Sequence, residues 1–221
     1  MFATLSNLLR HTFTQALTAA TLTAACIGAA QAAVVWDTYG SGYQQAYLGN
    51  GAARHTNAQV FTLSQATVLT DFAWSGIYAN NRTSTTESFV IDIYGTVAGA
   101  PGSTPIVSLV AGLANRTAAN SRLFNSYDIY NFSFEPLGGL ALDAGDYFFS
   151  VNTNSPNAWY WGVTSTSAGS FFARDNNGAW DERTSTLAFR IEGNTVPEPA
   201  SLALVGVSLV GLLAARRRQA G

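Results

Sequence analysis

Few side chains in this sequence have the makings of chemistry, and most fall in its middle. All 5 Trp lie there: Trp36, Trp74, Trp159, Trp161 and Trp180. Trp159 and Trp161 are two apart in a run with strand character, so their rings project from one face and Tyr160 from the other. An exposed pair, with Trp180 and Tyr160, would be a platform for stacking sugar rings, whereas an inward pair would be packing mass, the commoner fate of Trp. Paired carboxylates are what a glycosidase needs, and the close pairs are Asp143/Asp146 and Asp181/Glu182. Both pairs read as turns, where Asp satisfies local backbone N–H groups. His55, the one histidine beyond the leader described below, has no Gly-x-Ser-x-Gly elbow to serve and reads as an exposed loop residue. Asp175, Asn177 and Asp181 offer oxygen ligands of the kind calcium takes, but the run fails the EF-hand pattern, and Asn177-Gly178 is first of all a hairpin signal. No cofactor is expected.

The elements that position these residues follow from composition and rhythm. The chain has 221 residues, 48% hydrophobic and only 11% charged, with a net charge of -2 and no Lys. That balance excludes a general nucleic-acid binder, which needs a basic footprint. The alternation of Phe89, Ile91 and Ile93 against Ser88, Val90 and Asp92 reads as a half-buried strand. So does Tyr127 to Glu135, with Tyr130, Phe132 and Phe134 on one face and Asn131 and Ser133 on the other. Runs at 106–110, 140–142, 147–151, 158–164, 170–174 and 186–192 repeat the pattern between Gly, Asn, Asp and Ser clusters. The expectation is an all-β ectodomain over 33–195, a two-sheet, jelly-roll-like β-sandwich. Its 7 Arg against 8 Asp and 4 Glu leave it acidic, at -5.

Both ends read as addresses. Arg10, the small apolar run Ala16 to Ala30 and the Ala30-Gln31-Ala32 site describe a signal peptide over 1–32, with signal peptidase cutting before Ala33. The only cysteine, Cys26, leaves with it, so the exported part has no thiol for a disulfide or a Cys-ligated metal. A lipoprotein signal is the minor alternative, because Thr23-Ala24-Ala25-Cys26 lacks the usual Leu three before the cysteine. At the other end Val196-Pro197-Glu198-Pro199 precedes an apolar run at 200–215 and then Arg216-Arg217-Arg218. Pro197 and Pro199 end the preceding strand, and 16 residues make a helix of about 24 Å, marginal for a membrane span. The three arginines would stay on the cytoplasmic side.

Residues 196–221 resemble a PEP-CTERM sorting signal: Pro197, Glu198 and Pro199 match the motif, 200–215 the transmembrane helix, and Arg216, Arg217 and Arg218 the basic stop. The resemblance implies an exopolysaccharide-producing Gram-negative bacterium in which exosortase, a membrane protease, processes the tail and passes the protein to the cell surface or matrix. The same motif also carries an ice-binding label, which implies no activity. The central domain resembles β-sandwich ectodomains in rhythm alone. The resulting expectation is a non-catalytic surface or biofilm-matrix protein, with a carbohydrate-binding module for exopolysaccharide as second reading and a carboxylate-based glycan hydrolase as third. Expected partners are signal peptidase, an exosortase-like protease, the membrane through the C-terminal helix, and exopolysaccharide.

Overall fold

Strand-forming residues account for nearly every element of the computed structural model, which describes residues 32–39, 42–49, 55–154, 156–164 and 169–196, together with Gly206 and Ser208. Those last two are helical. Residues 1–31 of the signal peptide, Ala30 among them, the 197–199 motif, the 200–215 helix as a whole and Arg216 to Arg218 lie outside the described residues.

The larger sheet is built on β4 (Thr67–Tyr78), the longest strand. One edge of β4 pairs with β9 (Tyr127–Phe134) and β10 (Leu140–Leu142), the other with β16 (Phe189–Thr195) and β12 (Trp159–Thr164). Outside these lie β8 (Asn115–Leu123) on β9, β1 (Ala33–Asp37) on β16, and β2 (Tyr43–Leu48) and β15 (Thr186–Leu187) on β12. The smaller sheet runs β14 (Asp181–Thr184), β13 (Ser170–Asp175), β3 (His55–Leu63), β11 (Gly145–Thr153), β5 (Phe89–Val97), with β6 (Ala100–Pro101) and β7 (Val107–Gly112) on its far edge. All of these pairings are antiparallel, so the fold is an all-β, two-sheet sandwich.

The period-2 alternation predicts which side chains meet between the sheets. Phe72, Trp74, Phe132, Trp159, Trp161 and Phe189 come from the larger sheet, and Phe61, Phe89, Ile91, Ile93, Phe149 and Phe171 from the smaller, all essentially inaccessible to solvent. Rings lock across the gap: Phe72 stacks on Phe149 at 5.6 Å between centroids, Phe149 on Phe189 at 4.8 Å, and Phe89 meets Trp159 edge-on at 5.4 Å.

Several local expectations change. His55 opens β3 and so sits on a strand end, where its Nδ1 bonds Asp175 of the neighbouring β13. Asp181 and Glu182 lie on β14 and Asp146 on β11, not in turns. The left-handed residues of the β13–β14 hairpin are Asn176 (φ 51°) and Asn177 (φ 58°), so Asn-Asn, rather than Asn177-Gly178, makes the turn. The runs at 140–142 and 147–151 form β10 and β11 as expected, and the two pair in different sheets, β10 in the larger and β11 in the smaller.

Candidate functional site

Trp159 and Trp161 are buried completely, so the pair forms no exposed platform and serves as core. Trp180 is half-buried on the outer face of the smaller sheet. There it donates from Nε1 to the Gly102 carbonyl at 3.1 Å and carries the Arg174 guanidinium 4.2 Å from its ring centroid. Only Tyr160 of the four named aromatics faces outward on the larger sheet, as the alternation requires. Of the other candidates, Asp146, Asp175 and Asp181 are engaged by neighbours. Asp146 accepts from Thr62 Oγ1 at 2.6 Å, Asp181 pairs with Arg183 at 2.6 Å, and Asp175 is held by His55. Asp175, Asn177 and Asp181 therefore lie along one hairpin with both carboxylates partnered. Among the described residues no group of three or more His, Cys, Asp or Glu is placed to hold a metal.

What the sequence did not reveal is the outer face of the larger sheet. Bonded strands bring Asp71 of β4 opposite Glu192 of β16 and Ala73 opposite both Arg190 and Ser133 of β9. Around them lies an open groove of about 400 Å³, lined also by Tyr39, Asn115, Thr117, Asn131 and Glu135. Arg190 donates to Glu192 at 2.8 Å, which leaves the carboxylates of Asp71 and Glu135 without an ion pair among the described residues. Burial, then the charges of Glu192 and Glu135, push the Asp71 carboxyl above its ordinary range, against the pull of Arg190. A chain of hydroxyls continues along the face: Tyr43 Oη donates to Ser75 Oγ at 2.8 Å, and Ser75 Oγ to Asn131 Oδ1 at 2.9 Å. Beyond it a second hollow of about 270 Å³ is lined by Tyr160, Tyr127, Phe124, Ile77 and Leu123. Phe124 is 68% exposed, unusual for so large an apolar ring.

The sign of the Asp71 shift fixes a pH effect. A carboxyl whose folded-state pKa lies above its unfolded value binds more protons folded than unfolded between the two, so stability falls as pH rises through that window. Asp71→Asn removes this penalty. We expect the variant to match the parent in acid, below the ordinary carboxylate range, and to exceed it at neutral pH, as read by urea midpoints across the pH range.

Comparison with known proteins adds the address. Residues 195–218 match the model of the PEP-CTERM protein-sorting motif, which supports an exported protein handled by an exosortase-type system. No curated protein matches the chain.

Proposed function

We propose that this chain is an exported, non-catalytic surface or matrix protein, in which the sandwich is the displayed part and the C-terminal segment is the handle for sorting. The observation that carries this reading is the sorting-motif match at 195–218, which begins on Thr195, the last residue of the final strand. In this reading signal peptidase cuts before Ala33, the 200–215 helix holds the chain in the inner membrane with Arg216 to Arg218 on the cytoplasmic side, and exosortase cuts at or near Pro197 to Pro199 before release to the surface. The engagement of Asp146, Asp175 and Asp181 in local contacts favours a non-catalytic role over the hydrolase alternative. Mass spectrometry of the surface-released protein is expected to find a C-terminus near 196–199, and replacing Pro197, Glu198 and Pro199 by Ala to leave the uncut chain in the membrane. Released protein that still ends at Gly221 would refute the sorting step.

A second reading, glycan binding, is favoured by one observation: the larger sheet's outer face carries a polar groove and a tyrosine-lined hollow side by side. Sugar rings offer hydroxyls to the first and C–H faces to the second. The site moves accordingly from Trp159 and Trp161 to Tyr160 and its neighbours, and exopolysaccharide is the natural ligand in a matrix.

A further inference from the structure

We propose that this face selects a polysaccharide segment bearing free amino groups, a proposal that rests on the glycan-binding reading. Three features of the face converge on that ligand. The two hollows are not separate pockets for two small molecules. Asp71 and Ile77 lie on the same strand, six residues apart, which spans about 20 Å. A run of linked sugars fits that span, whereas a single ring fills only one hollow.

The second feature is charge. Asp71, Glu135 and Glu192 line the polar groove with Arg190 as the one cation, and that guanidinium is already bonded to Glu192. A uronate-rich chain would bring its carboxylates against Asp71 and Glu135, both uncompensated. An ammonium group on the sugar supplies the missing counter-charge beside Asp71 and Glu135. The third feature is hydrogen bonding: Asn115, Thr117 and Asn131 supply side-chain donors and acceptors along the groove.

The test uses the full chain, titrated calorimetrically at mildly acidic pH with three probes: a glucosamine hexamer with free amines, its fully N-acetylated counterpart, and an oligouronate. The glucosamine hexamer is expected to bind about tenfold tighter than the N-acetylated form, with the preference shrinking as salt rises. The oligouronate should show no binding. The double substitution Asp71→Asn with Glu135→Gln should erase the preference while sparing binding of the acetylated oligomer. Tyr160→Ala should weaken both neutral and amino forms about fivefold. Equal affinity for amino and acetylated oligomers would overturn the amino-sugar assignment and leave the glycan reading standing. Failure of all three probes to bind would overturn both, and a preference for the oligouronate would overturn the charge argument outright.

Discussion

Arg116→Met is expected to cost the fold about 3–5 kcal/mol, a large fraction of the 5–15 kcal/mol that holds an ordinary domain together. The reason lies in Glu87, whose side chain is 1% exposed in the segment that leads into β5. It accepts a hydrogen bond from Tyr78 and another from Arg116 Nη1 at 2.9 Å, and Arg116 also reaches the Ser84 carbonyl at 3.3 Å. The guanidinium lies 5.8 and 5.6 Å from the ring centroids of Tyr78 and Tyr130, so it is held by two aromatic rings as well. Burial raises the Glu87 pKa, and the hydrogen bond from Tyr78 and the charge of Arg116 oppose it. Removing Arg116 leaves a buried anion with one neutral donor, the expensive half of a broken pair. Two further results mark this mechanism apart from simple loss of packing. The single variant should regain stability as the pH falls, because the uncompensated carboxyl takes up a proton in the fold first and sheds its penalty. The double variant Arg116→Met with Glu87→Gln should be more stable than Arg116→Met alone, since a neutral amide still accepts from Tyr78. Urea denaturation at two pH values checks both.

That ion pair also shows where sequence reading stops. Strands whose alternation is unbroken were legible: Phe89, Ile91 and Ile93 point inward on β5, and Phe132 on β9 does the same, opposite Trp74. The longest strand, β4, was not. Its register slips where Asp71 pairs with Glu192 but Leu69 with Gly193, so Thr70 is extra and the inward set changes parity from Leu69 to Phe72. A β-bulge of this kind erases the period-2 signal that identifies a strand. The bulge also places Asp71 on the outer face beside its partner on β16. Asp71, Glu135 and Glu192 are distant in the chain and become neighbours only because β9, β4 and β16 are adjacent, a strand order that linear spacing does not encode. Glu87 and Arg116 are likewise distant in the chain, and meet because the non-strand segment leading into β5 passes against β8 of the larger sheet. The C-terminal motif was legible because its meaning lies in linear order: Pro-Glu-Pro, then an apolar run, then arginines.

Trp159→Ala is expected to destabilise the sandwich by about 3–5 kcal/mol, as truncation of a fully buried large aromatic does. The indole is walled on two sides by glycines. A Cβ at Gly49, just past the end of β2, would come within 2.5 Å of Trp159 Cζ3, and one at Gly76 of β4 within 2.5 Å of its Nε1, so both neighbouring segments lack a side chain where the ring lies. Edge-on contacts to Phe89 at 5.4 Å and Phe132 at 6.2 Å, and a tilted one to Trp161 at 6.4 Å, close the remaining faces. Because Gly76 is backbone of β4 and Gly49 is tied to the Trp159 carbonyl just past the end of β2, neither can collapse into the space that the indole vacates, and the cavity cost stays near its upper range. The reverse substitution tests the same fit: Gly76→Ala must displace either the indole or β4, and overpacking of this kind costs about 1–3 kcal/mol or more. Adding the methyl group to a chain already carrying Trp159→Ala should recover stability instead of losing it, because the new Cβ then fills part of the vacancy. Opposite signs of Gly76→Ala in the two backgrounds, measured by urea denaturation, would show that the tryptophan and the glycines form one packing unit at the centre of the sandwich. The same sign in both would show that the indole moves aside and that β4 tolerates a side chain there independently of the ring.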